Sequence, residues 1–120
     1  MKQLSNNYDL EERTARLGED VIDFCKSLKQ DAISRSLINQ LVRSGTSIGA
    51  NYMEANSASS KKDFRNKIFI CKKEAQESKH WLRMVARYFP EKKDEIGSLW
   101  KECQELTMIF QKITTSLREK

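Results

Sequence analysis

The chain has 120 residues, enough for one domain with a single core. One proline, four glycines and a charged fraction of 32% favour long helices, and no alternating apolar run bounded by Asn-Gly or Asp-Gly speaks for strands. The net charge is a moderate +5, and no stretch approaches the run of about 18 apolar residues that a membrane span needs.

Met1 to Tyr8 is polar and reads as a frayed start without the apolar segment of a secretory leader. Asp9 is placed to cap a first helix, with Glu11 and Glu12 complementing its dipole. From there Leu10, Thr14, Leu17, Val21, Phe24 and Leu28 step by threes and fours, backed by Ile22 and Cys25, which predicts a helix over 9–28. Arg13, Arg16, Glu19, Asp20, Asp23 and Lys26 fall on its other faces and read as solvated charge.

After a short connection that Asp31 or Ser34 can cap, Ile38, Leu41, Gly45, Ile48, Tyr52 and Ala55 keep the period, with Leu37, Val42 and Met53 beside them. The predicted helix covers 34–56. Gly45 and Gly49 lie one turn apart inside it, and each costs about 1 kcal/mol against alanine there. Close approach of a neighbouring helix explains such glycines, and so does a ligand meeting bare backbone. Arg43, Asn51 and Glu54 stand among small and apolar neighbours. They read either as surface polarity with local hydrogen bonds or as a subunit interface in which the two charges find partners.

Asn56 to Ser60 breaks the pattern, and Ser60 with Asp63 resembles a capping box. A third helix over 61–88 then carries Phe64, Ile68, Cys71, Ala75, Ser78, Leu82 and Val85, with the seam running on to Phe89. Phe69, Trp81, Met84 and Tyr88 widen its apolar face beyond one seam, enough to meet two neighbours, one of which can be another subunit. Pro90 cannot continue this helix but suits the start of the next. The fourth, over 91–118, shows Ile96, Leu99, Cys103, Leu106, Phe110, Ile113 and Leu117, with Trp100 and Ile109 beside the seam and Arg118 and Lys120 at its end. The expected fold is all-α, an antiparallel up-down-up-down four-helix bundle in one domain.

The charge is unevenly placed. Lys61 to Arg87 holds nine cations against three anions, a net of +6 that leaves −1 for the rest. Lys61, Lys62, Arg65, Lys72, Lys73, Lys79, Arg83 and Arg87 fall mainly off the apolar seam of the third helix. Such a stripe is either a solvated face or a track for a nucleic-acid phosphate backbone.

Catalytic and metal chemistry find little support. The single histidine, His80, has no nucleophile or carboxylate pair at helical spacing, and Glu77-Ser78-Lys79-His80 is one unrepeated Glu-x-x-His where a di-metal bundle needs two. Gly45 to Gly49 lacks the lysine of a phosphate loop. Cys25, Cys71 and Cys103 are odd in number, far apart and on apolar faces, as expected of small hydrophobes in a reducing cytoplasm and not of zinc or disulfides. No enzyme activity and no cofactor are expected.

Leu41-Val42-Arg43-Ser44-Gly45-Thr46-Ser47-Ile48-Gly49-Ala50-Asn51-Tyr52-Met53-Glu54-Ala55, then Lys62-Asp63-Phe64 and Lys73 to Leu82, give the chain a resemblance. So does the opening Leu10-Glu11-Glu12-Arg13-Thr14. Over nearly its whole length it resembles the bacterial four-helix-bundle proteins named for intervening sequences of 23S ribosomal RNA genes, the S23 family. Ser57 and Ala58 depart from it, standing where a glycine-containing turn is frequent. The resemblance implies a bundle, a homopentameric ring and kinship with accessory variability proteins of diversity-generating retroelements, whose basic pentamers associate with a reverse transcriptase and nucleic acid. It brings no catalytic residues. The expected function is RNA binding through the third-helix cations, RNA being favoured over DNA. Arg43, Gly45, Gly49, Asn51, Glu54 and Trp81 are expected to serve packing or the oligomer. The alternative is an adaptor ring that docks a protein such as a reverse transcriptase.

Overall fold

Asp9 caps the first helix by accepting from the Glu12 amide at 3.2 Å, and Glu11 and Glu12 lie in the first turn where the helix dipole favours them. The computed structural model describes residues 9–118; the expectations placed on Met1 to Tyr8 and on Lys120 lie outside them. Four helices follow in order: α1 Leu10–Lys26, α2 Ala32–Asn56, α3 Lys61–Tyr88 and α4 Lys93–Arg118. Neighbours in sequence are neighbours in space, and α1 meets α4 most loosely. The result is an antiparallel four-helix bundle measuring 47 × 24 × 21 Å, and no described residue is in a strand.

Helix ends follow local chemistry. Asp31 caps α2 by accepting from Ile33 and Ser34, and the Ser34 hydroxyl returns to the Asp31 amide, a reciprocal box. The helix therefore opens at Ala32, two residues before the expected start. Ser60 caps α3 by accepting from the Asp63 amide at 3.0 Å. Only half of that box forms, because the Asp63 carboxylate accepts from Ser59 instead. At the end of α2, Ser57 sits at φ −102°, and no described residue has a positive φ. Nothing there requires a glycine. Pro90 opens a single 3₁₀ turn, Pro90–Lys92, before α4 begins.

The predicted seams line the core. Leu17, Val21, Leu41, Ile48, Ile68, Leu82, Val85, Leu106 and Phe110 are almost wholly buried, each worth about 1.5–3 kcal/mol of transfer free energy. Buried hydroxyls are hydrogen-bonded: Thr14 donates to the Leu10 carbonyl at 2.6 Å, and Ser78 donates to Ser44 across the α2–α3 seam at 2.9 Å. Ile22 and Met53 depart from expectation. They are 42% and 57% exposed, because α1 and α2 turn that edge outward from all the other helices.

Arg13 departs in the opposite sense. Its Nε donates to Glu102 at 2.6 Å and its Nη2 to Glu102 and Glu105 at 2.9 and 2.5 Å. Read as solvated charge from the sequence, it is instead a bidentate tie across the loosest seam, between α1 and α4.

Cys25, Cys71 and Cys103 are free and buried. Burial pushes their thiols up, Cys25 to about 11 and Cys71 and Cys103 to about 12. Scarcely any thiolate forms at pH 8, so a thiol-specific chromogenic reagent should label none of them within minutes in the native state and all three in guanidinium. Rapid native labelling would contradict this packing.

Candidate nucleic-acid interface

At 100° per residue the α3 cations Lys61, Lys62, Arg65, Lys72, Lys73, Lys79, Arg83 and Arg87 fall within about one third of the helix circumference. The buried row of Ile68, Cys71, Ala75, Ser78 and Leu82 occupies the adjoining arc. Lys61, Lys62, Lys73, Arg83 and Arg87 are exposed, and Arg65, Lys72 and Lys79 are half-buried along the border with α4. Among the described residues, none of the eight has a carboxylate within ion-pair distance.

The anions of the same segment are turned elsewhere. Glu74 is buried and, with Glu77, meets Arg43 of α2, at 3.3 and 2.6 Å. Asp63 stays at the α3 cap. The ninth cation, Lys67, points toward α2 and pairs with Glu54 at 2.6 Å, which raises its pKa above the ordinary lysine value. Arg43 and Glu54 thus find their charged partners inside the chain, so a neighbouring subunit is not needed to satisfy them. The cause is register: α2 and α3 bring residues 31 and 13 positions apart side by side.

The half-buried cations reach neutral acceptors and rings. Lys72 donates to Gln111 at 2.6 Å, and Lys79 donates to Gln104. The Arg65 guanidinium lies 4.8 Å from the centre of the Phe69 ring, with Lys72 at 5.9 Å from the same ring. Lys79 lies 5.1 Å from the Trp100 ring. The Nε of Arg65 is buried with no hydrogen-bond acceptor among the described residues. Spacing along α3 makes the Arg65–Phe69–Lys72 group legible in the sequence, since residues three and four apart share a helix face. Trp100, Gln104 and Gln111 come from α4, and sequence reasoning missed them because no local pattern ties them to α3.

The small-residue stretch serves the α1–α2 contact. A Cβ at Gly45 would stand 3.1–3.3 Å from three Val21 atoms, and one at Gly49 would stand 3.2 Å from the Thr14 hydroxyl and 3.4 Å from its backbone. Gly18 faces Thr46 and the Gly45 carbonyl in return. Helix α1 therefore occupies the bare backbone that a ligand would otherwise meet. Asn51 donates to the Ser47 carbonyl of its own helix at 2.8 Å. Trp81 packs partly buried against the core, with His80 edge-on to its ring at 4.8 Å. Among the described residues no three His, Cys, Asp or Glu side chains gather in a metal-binding group, and no helix is long and apolar enough to cross a membrane.

No curated protein matches the sequence. Among solved structures, the chain is similar to the crystal structure of a protein of unknown function from the S23 ribosomal protein family of Bacteroides thetaiotaomicron. The two are 29% identical with a TM-score of 0.77, over 87% of this chain and 96% of that one. The family model described as 23S rRNA-intervening sequence protein matches residues 6–112, a span that reaches into all four helices, takes in the glycine pair facing α1 and includes the whole cation stripe of α3. The chain belongs to the 23S rRNA-intervening sequence protein family.

Proposed function

We propose that this is a non-enzymatic, cytoplasmic, oligomeric RNA-binding protein whose phosphate contacts come from α3. The observation that carries the proposal is the separation of charge on that helix. Among the described residues, eight cations share one side without carboxylate partners, while Glu74 and Glu77 are held by Arg43 on another. A phosphate backbone holds condensed counterions that uncompensated cations at helical spacing displace, so binding is driven by their release. The family's description, which refers to an intervening sequence of 23S rRNA, favours RNA over DNA. Fluorescence anisotropy of a labelled structured RNA across 50–300 mM salt tests it: if most of the stripe engages, log affinity should fall against log salt with a slope of about −5. A flat response, or no binding at low salt, would sink the proposal.

Oligomerisation is the second part of the proposal. The exposed Ile22 and Met53 flank Ala15, Gly18 and Ala50 on the outer α1–α2 edge, an apolar strip that a second copy can cover. The resemblance to ring-forming accessory variability proteins gives five as the expected number. Light scattering at micromolar concentration should return several times the 14.0 kDa chain mass; a clean monomer would contradict it. The alternative is an adaptor ring that docks a protein such as a reverse transcriptase, with the α3 cations meeting acidic patches on that partner. Capture from nuclease-treated lysate separates the two roles, because a protein partner survives the nuclease and an RNA-bridged one is lost.

A further inference from the structure

The face shared by α3 and α4 holds more than positive charge. All three cation–ring contacts among the described residues lie on it, with Arg65 and Lys72 on Phe69 and Lys79 on Trp100. Trp81 is committed to the core, whereas Trp100 leaves 40% of its surface in water. One turn before it stands Gly97, in a helix interior that disfavours glycine. The other three glycines are each explained by a close neighbour, but a Cβ at Gly97 would meet nothing within 4 Å. An exposed indole beside bare, unobstructed backbone leaves room for a flat ligand. The cations around it specify a negatively charged one.

We propose that this face takes single-stranded RNA, with one unpaired base stacked on Trp100 and the flanking phosphates on Lys79 and Arg83. The inference rests on the RNA-binding reading and adds what that reading lacks, a preference for unpaired nucleotides. Stacking on an aromatic side chain is available to every base but requires it to be out of a duplex. Lys79 acts as a placeholder. In the free protein its ammonium sits over the indole and donates to Gln104. When a base covers the ring, the flexible lysine swings to the adjoining phosphate, trading a weak exposed cation–π contact for a charge-assisted hydrogen bond. Arg83 follows one turn later on the same face, set to contact the next phosphate along the strand.

The test compares an unstructured 16-nucleotide RNA with the same strand annealed to its complement, at one fixed low salt concentration. The single strand should bind about tenfold tighter than the duplex. Trp100→Leu should lose about tenfold on the strand alone, and Trp100→Phe should keep most of the affinity. In a Trp81→Phe background, where Trp100 is the sole emitter, saturating strand should quench the fluorescence, and this readout does not depend on Trp100→Leu folding. Equal affinity for strand and duplex, unchanged strand binding by a folded Trp100→Leu protein, or unquenched Trp100 emission at saturation would each overturn the stacking site while leaving the cation stripe intact. Absence of binding to either RNA would remove the stripe reading and this inference with it.

Discussion

Replacing Lys72, Lys73 and Lys79 together by glutamate should lower the affinity for RNA by about a hundredfold or more at 0.1 M salt. It should also flatten the log affinity–log salt slope by about 2 on a single strand. The three sit mid-stripe, and among the described residues the only side-chain hydrogen bonds that Lys72 and Lys79 make are to Gln111 and Gln104. A glutamate can accept from either amide, so the bundle should keep its fold. A matched control reverses Lys26, Lys29 and Arg35, exposed cations outside α3. It changes the net charge by the same amount and should cost far less affinity. Equal losses in the two triple variants would mean that RNA responds to overall charge and not to this face.

The second large effect concerns stability. Gly45→Val should destabilise the bundle by about 3 kcal/mol, lowering Tm by roughly 10 °C for a chain of this size. Three atoms of Val21 already stand within 3.3 Å of the position a single Cβ would take. Val21 is fully buried and stiff about χ1, so it cannot swing aside, and α1 must move off α2. Gly45→Ala is the milder case: up to about 1 kcal/mol of helix propensity is gained against about 1–3 kcal/mol of overpacking. Shortening the opposing residue should relieve the clash. In a thermal-melt cycle, Val21→Ala with Gly45→Ala should be more stable than the two single changes predict by about 1 kcal/mol. Strict additivity would show that the contact is not the cause. Gly97→Ala supplies the contrast, since nothing lies within 4 Å of its Cβ position; Tm should hold or rise.

Much of this arrangement was legible before the structure. Spacing alone identifies the seam residues of all four helices, and the boundaries it predicts differ from the observed ones by about two residues. Local hydrogen bonding settles those differences. Asp31 rather than Ser34 starts α2, because its carboxylate reaches two amides at once, and α1 ends at Lys26 with Leu28 still buried beyond it. Ile22, Met53 and Trp100 stand beside apolar seams in the sequence, yet the fold leaves them exposed. A helical period says which residues share a face but not how wide a strip the neighbours cover.

The sequence by itself determined the helices, their seams and the crowding of cations on one side of α3. Each depends on the rise and turn of an α-helix and on residues three or four apart. Only the tertiary structure decided what those cations face. Arg43 claims Glu74 and Glu77, Glu54 claims Lys67, Arg13 reaches Glu102, and Trp100 comes beside Lys79. These pairs join residues up to 89 positions apart. Their meeting is set by how far one helix slides along another before side chains interlock, as where Gly45 and Gly49 admit Val21 and Thr14. That register belongs to no single helix, so no local pattern in the sequence records it.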